Sequence, residues 1–180
     1  MRTPRSAAAG RLTVVLATLV LAVGACGGGP TAQRWAATVC DALAPWRAEI
    51  SNLTRSTQEQ MTAQTTPAQA KENLVRLLGG AEQASETARR KVAEAGVPDV
   101  EQGDAVAEGF TTSLARVRDA YGRARKTIEA LGTGQPGAFY DGVKAAVDTL
   151  NEEYDASGLD TSKLNSPELK QAFDEVPECR

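Results

Sequence analysis

The chain has 180 residues, with 20 lysines and arginines against 23 aspartates and glutamates, and it contains no histidine. The absence of histidine removes the most frequent general base, the most frequent neutral metal ligand and the usual switch near neutral pH. The formal net charge of −3 argues against nucleic acid as a partner, because nucleic-acid binding needs a basic surface. We therefore expect neither a cofactor nor a bound metal.

The first predicted element is an export signal at residues 1–25. Its apolar run, residues 12–23, is too short to span a bilayer as a helix and follows three basic residues, Arg2, Arg5 and Arg11. Secretory signals have this order: a basic leader, then an apolar run, then small residues. The alternative is a buried core helix, which needs no such order. We expect this segment to be removed, not folded.

The apolar run ends in Val23-Gly24-Ala25-Cys26, which resembles the lipobox of bacterial lipoproteins. The resemblance implies that the leader is cut before Cys26 and that the Cys26 thiol carries diacylglycerol. Two acyl chains anchor a protein stably, whereas a single chain binds a membrane only marginally. We therefore expect a lipid-anchored protein at the extracytoplasmic face of the cell membrane, with residues 26–30 as a short flexible tether.

Two cysteines remain once Cys26 is assigned to lipid, namely Cys40 and Cys179. Disulfides persist outside the cytoplasm, so we expect these two thiols to be joined. Two separate buried thiols are the alternative, and a metal site would need two further carboxylates for which no local spacing is present. The remaining chain of about 155 residues favours one domain, residues 31–180.

The mature chain shows helical periodicity and no strand-like alternation. The first helix is predicted from a Thr31 cap to about Ser56, with a kink or a break at Pro45, which cannot donate a helical hydrogen bond. Polar residues 54–66 are predicted as a frayed end and a loop. Trp35 and Trp46 share one face of this helix. We expect them in the core; the alternative places Trp35 at the lipid headgroups.

Local start and stop signals define the next two helices. Thr66-Pro67-Ala68-Gln69 predicts a capping box, and Gly96-Val97-Pro98 predicts the end of that helix. Asp99 is predicted to cap the third helix, with Gln102 at the capping-box position. The third helix has the most regular apolar spacing in the chain, and its apolar residues are Val106, Phe110, Leu114, Val117, Tyr121, Ala124, Ile128 and Leu131.

A glycine-rich break at residues 132–137 precedes a fourth helix that continues to about Ala156. This break lacks the Gly-Lys-Ser/Thr ending of a phosphate-binding loop, so we interpret it as a turn. The inward stripe of this helix is predicted to be Phe139, Val143, Ala146, Val147, Leu150 and Tyr154. Ser166-Pro167-Glu168 then starts a short helix through Leu169 and Phe173. The predicted fold is all-α: an up-down four-helix bundle with a short C-terminal helix, braced by one disulfide.

The charges of the third helix have two interpretations. Its acids precede its bases, which complements the helix macrodipole. The alternative is a binding site for an acidic partner on the basic flank, with one pair on each side of the apolar stripe: Arg116 and Arg123, and Arg118 and Arg125. A further acidic cluster of Glu152, Glu153, Asp155 and Asp160 does not match a calcium-binding loop, so we predict no metal there.

The lipobox, the Ala/Arg/Gly-rich composition and the placement of Cys40 and Cys179 together resemble the small exported lipoproteins of actinobacteria. The resemblance implies a location in the cell envelope and supplies no catalytic residues to carry over. We therefore expect a non-catalytic binding module that contacts an envelope protein or polymer, and no enzyme. The alternative function is a carrier of a small ligand or metal ion in a pocket between helices.

Overall fold

The computed structural model describes residues 28–158 and 165–180, and all regular structure within them is helical. The all-α prediction is confirmed. A 3-10 turn, Pro177–Cys179, follows the last of the α-helices, which are α1 (Ala32–Gln60), α2 (Pro67–Glu94), α3 (Gly103–Ala130), α4 (Pro136–Asp155) and α5 (Pro167–Glu175).

Successive long helices run antiparallel. As the residue numbers increase along one helix, the residues that they contact on the next helix have decreasing numbers. This is the up-down arrangement that the short connections predict. The contacting pairs are Trp35 with Gly96 and Gln60 with Arg76 for α1 and α2, Glu86 with Arg118 and Glu82 with Arg125 for α2 and α3, and Arg123 with Glu153 and Leu131 with Gly142 for α3 and α4.

Two helices, α4 and α5, together occupy the place of the fourth helix of the bundle. α4 packs on α3 and touches α2 at a few points, but its backbone makes no contact with α1. At the end of the bundle that α4 does not reach, α5 and the 3-10 turn pack on α1. Phe173 of α5 stacks on Phe110 of α3 at 5.9 Å between ring centroids, and both rings are nearly perpendicular to the ring of Trp35. α4 therefore lacks the second long neighbour that a closed four-helix bundle would give it.

The tryptophans and the disulfide hold α1 in place. Trp35 is fully buried and donates a hydrogen bond from Nε1 to the Gly96 carbonyl oxygen at 2.9 Å, so the placement of this ring at lipid headgroups is wrong. Trp46 is also buried and donates to Ser85 Oγ at 3.0 Å. Cys40 and Cys179 are joined in a disulfide, which ties the C-terminal turn to α1.

Several local start and stop signals are confirmed. Thr66 and Gln69 form both hydrogen bonds of a capping box at α2, and Pro67 is the first helical residue. Ser166 caps α5 by accepting a hydrogen bond from the Leu169 amide. Gly96 has a positive φ of 72° just after α2, where a side chain would be strained.

α1 is longer than predicted. It continues without a break through Pro45 and ends at Gln60, so the predicted helix end near Ser56 is wrong and the loop shrinks to residues 61–66. Pro45 is exposed, whereas the neighbouring Leu43 and Trp46 are buried. The hydrogen bond that Pro45 cannot donate lies on the solvent-facing side of α1. The packing of Leu43 and Trp46 on the core side outweighs its loss.

The predicted cap of α3 is wrong. Asp99 does not cap the helix; its amide donates to the Pro30 carbonyl oxygen at 2.9 Å, and α3 begins only at Gly103. Gln102 precedes the helix in the left-handed region, with φ of 58°, and makes no side-chain cap. A Cβ atom at Gly103 would collide with the Pro98 carbonyl oxygen. The absent side chain therefore permits a tight turn where a capping box was expected.

Candidate interaction surface

The predicted arginine flank is engaged in ion pairs between helices. Arg118 of α3 contacts Glu86 of α2 and its own neighbour Asp119, each at 2.7 Å between nitrogen and oxygen. Arg125, two turns further along the same side, contacts Glu82 of α2 at 3.0 Å. This side of α3 therefore fastens α3 to α2, and its positive charge is largely neutralised.

The other side of the flank faces α4. Arg123 contacts Glu153 at 3.0 Å, whereas the exposed Arg116 forms no ion pair with any residue that the structure describes. The helical projection correctly places Arg116 and Arg123 apart from Arg118 and Arg125. The four side chains thus do not form one basic surface, and three of them brace the bundle.

Glu86 is the most strongly perturbed carboxylate of these pairs. Hydrogen bonds from Arg89 and then from Arg118 stabilise its charged form and lower the pKa of Glu86 from 4.5 to about 2. A carboxylate with a depressed pKa in the folded state contributes stability above pH 4.5, and this contribution is lost as the pH falls from 4.5 towards 2. The side chain is one-third exposed, so solvent screening reduces the effect.

We expect Glu86→Gln to lower the free energy of unfolding by about 1 kcal/mol at pH 7 and to have little effect near pH 2. Urea unfolding at both pH values measures this difference. Ser51→Ala, an exposed substitution on α1, is the control for general effects of mutation. An equal loss of stability at both pH values would contradict a contribution from the charge of Glu86.

α4 carries an apolar stripe that the sequence assigns to the interior and the structure leaves partly in solvent. Tyr140, Val147 and Tyr154 are 43%, 37% and 38% exposed, and Val143 and Leu150 between them are only partly buried. The predicted inward position of Val147 and Tyr154 is therefore wrong. The physical reason is the missing backbone contact with α1: Phe139 and Ala146 are buried, Val143 and Leu150 rest on the edge of the core, and among the described helices only α3 packs closely along α4.

These five residues, hereafter the α4 stripe, alternate in steps of three and four, which is the spacing of a coiled-coil seam: Tyr140, Val143, Val147, Leu150 and Tyr154. Acidic side chains lie on the outer face of α4, which is turned away from the stripe, whereas Lys144 and Asn151 flank the stripe itself. Asp141, Glu152 and Asp155 are exposed and form no ion pair within the described ranges, and Lys144 is paired with Asp148 at 2.6 Å. The α4 stripe is thus an apolar surface on a helix whose outer face is acidic.

A groove of about 390 Å³ lies between α1 and α2. Trp46, Ala84 and Ala88 form its apolar part, and Glu49 and Lys91 stand among its polar lining residues. This volume falls within the range of small-molecule sites. The groove is the feature of the described structure that corresponds to the alternative function, a ligand carrier.

The predicted acidic cluster is not assembled as a metal site in the part of the chain described here. Glu153 is paired with Arg123, and Asp160 lies outside the described residues. Within residues 28–158 and 165–180, no group of three potential metal-binding side chains is present.

The predicted signal and Cys26 lie outside the described residues, but residues 28–30 can be seen to contact the bundle. The Pro30 carbonyl accepts a hydrogen bond from the Asp99 amide, and Gly29 lies so close to the Val97 carbonyl that a Cβ atom would collide with it. These residues are therefore docked on the α2–α3 connector, where a free tether was expected. None of the described helices is both long enough and apolar enough to traverse a bilayer.

No protein-family model, curated protein or solved structure matches this chain.

Proposed function

We propose that this chain is a membrane-anchored lipoprotein of the cell envelope that acts without catalysis, by binding a basic amphipathic helix of an envelope protein along the α4 stripe. The pattern of residues 1–26 supports the anchor and the location. The observation that carries the binding function is the α4 stripe, in which Tyr140, Val147 and Tyr154 remain exposed in the described structure.

The spacing of the α4 stripe favours a helix as the bound element. Apolar side chains in steps of three and four line one side of a helix, and a second helix with the same spacing can interdigitate with them. α4 has 20 residues and is therefore about 30 Å long, enough for a partner helix of four to five turns. Recognition of an amphipathic helix by such a surface is a common mode of protein binding.

The acidic outer face of α4 favours a basic partner. Asp141, Glu152 and Asp155 have no intramolecular cation to neutralise them among the described residues. These acids do not flank the seam, but their field attracts a helix that carries lysines or arginines and repels an acidic helix. This pairing differs from the acidic partner that the arginine flank suggests, because Arg118, Arg123 and Arg125 are already engaged.

A pair of synthetic helices tests this proposal. One has leucines at the seam and lysines beside it, and the other has glutamates in place of the lysines. Residues 28–180 serve as the target, since every residue of the core cluster lies between Ala32 and Cys179. We expect the lysine peptide to bind, the glutamate peptide not to bind, and the perturbed NMR signals to map to α4.

Substitution of the stripe supplies the matched variants. Val147→Ser with Tyr154→Ser removes two exposed apolar side chains and is expected to weaken the lysine peptide about tenfold, an affinity loss of about 1.4 kcal/mol. Val97→Ser is the control, because Val97 is 48% exposed but lies at the α2–α3 connector. Equal binding of both peptides, or signal changes centred on Arg116, would overturn the proposal.

The α1–α2 groove supports a second candidate function, the binding of a small amphiphile. An aliphatic chain would lie over Trp46 and Ala88, and an anionic head would face Lys91. Decanoate is a suitable probe: it should raise the melting temperature of the protein, and Ala84→Leu should abolish the increase by filling the groove. An unchanged melting temperature with excess decanoate would remove this candidate.

A further inference from the structure

The docking of residues 28–30 fixes where the chain enters the bundle. Pro30 accepts a hydrogen bond from the Asp99 amide at 2.9 Å, and Gly29 is in backbone contact with Val97. Both contacts are with the connector between α2 and α3, residues 95–102. The N-terminal segment therefore leaves the molecule at one defined end of the bundle.

Cys26 is only two residues before Gly28, which limits its distance from this end. A fully extended chain spans about 3.3 to 3.6 Å per residue, so the Cys26 backbone lies within about 7 Å of Gly28 in any conformation. A lipid on Cys26 would thus draw the adjoining connector against the membrane.

We propose that the α2–α3 connector, residues 95–102, is the membrane-facing surface of the protein and rests against the lipid headgroups with Val97 directed at them. This inference rests on the proposed lipid anchor. Val97 is 48% exposed, the largest exposure among the described large apolar side chains that remain in solvent. Valine gains free energy by leaving water at the interface, whereas Asp99 and Glu101 nearby oppose deep insertion.

The geometry also decides how the α4 stripe is presented. α2 has 28 residues and is therefore about 42 Å long, so the connectors at residues 61–66 and 131–135 lie up to that far from the membrane. α4 starts at this distant end, at Pro136, and Glu153 near its other end pairs with Arg123 in the distant half of α3. The α4 stripe is consequently held away from the lipid surface and towards partners in the envelope.

Labelling at the two ends of the bundle tests this orientation in the full, lipidated chain. Cys40 and Cys179 are joined and Cys26 would be alkylated, so an introduced cysteine is the reactive thiol of the mature protein. Val97→Cys and Ala63→Cys, the latter in the distant connector, each receive a fluorophore in vesicles of phosphatidylcholine and phosphatidylglycerol. We expect nitroxide headgroups to quench the label at position 97 several-fold more strongly than that at position 63.

Two glycine variants test the role of the docked segment. Gly29→Ala places a Cβ atom against the Val97 carbonyl and should reduce the difference between the two labels, because the segment must leave the connector. Gly28→Ala is the matched control, since its Cβ atom meets only the mobile end of the Asp99 side chain at 3.1 Å.

The possible outcomes distinguish a failure of the proposed lipid anchor from a failure of the proposed orientation. Protein that binds the vesicles but shows equal quenching at positions 97 and 63 would overturn the orientation and leave the anchor intact. Protein that fails to bind vesicles and carries no lipid mass would overturn the anchor, and the orientation with it. Strong quenching at position 97 that is lost in Gly29→Ala and kept in Gly28→Ala would support the inference.

Discussion

Cys26→Ser is expected to move nearly all of the protein out of the membrane fraction. Each buried methylene of an acyl chain contributes about 0.8 kcal/mol to membrane binding, so the loss of two chains removes the whole anchor. None of the described helices meets the length and apolarity needed to cross a bilayer. Fractionation of cells and the mass of the N-terminal peptide measure this effect.

The mass measurement is needed because a retained leader could itself hold the variant at the membrane. The membrane fractions are therefore compared only for protein whose N-terminal residue has been identified by mass. Gly134→Ala, in an exposed turn with free space around it, is the control and should remain in the membrane fraction. A correctly processed Cys26→Ser protein that still sediments with membranes would show that the anchor lies elsewhere.

Loss of the disulfide is expected to be the largest change in stability. The bond joins residues separated by 139 positions, and the loop-closure model gives an upper limit of about 5 kcal/mol for such a loop. For a domain of this size a few kcal/mol correspond to a fall in melting temperature of roughly 10 °C. Helicity at 20 °C should be kept, because buried residues of α1, α2 and α3 form a core without the bond.

Reduction of the unmodified protein and the variant Cys40→Ala with Cys179→Ala should give the same fall in melting temperature. Agreement between them excludes an effect of the substituted side chains, since Cys40 is buried. Circular dichroism during heating measures both samples. An unreduced digest with both thiols free, or identical melting before and after reduction, would contradict the expected brace.

Elements specified by local signals could be predicted from the sequence, and those that depend on distant contacts could not. The start of α2 depends on Thr66, Pro67 and Gln69 alone, and it is correct. The start of α3 fails because the Asp99 amide binds Pro30, a residue far away in sequence. No local sequence pattern indicates the hydrogen bond between Asp99 and Pro30.

The α4 stripe shows the same limit for the candidate site. Its spacing is that of a buried seam, and spacing alone does not reveal whether a neighbouring helix is present. One signal was available: α4 has 20 residues and α1 has 29, so a full-length contact between them was not to be expected. Likewise, helical projection separates the two arginine sides, but only the packing of α2 on α3 brings Glu82 and Glu86 to Arg125 and Arg118.

Photo-crosslinking in intact cells tests the central claim, capture of a basic helix by α4, most directly. A photoreactive residue replaces Val147 in the stripe or, as the comparison, Arg116 on the arginine flank, and the cross-linked peptide is sequenced. We predict a product at position 147 whose partner peptide has apolar residues in steps of three and four flanked by lysine or arginine. A product at position 116 with an acidic peptide, and none at position 147, would contradict the claim.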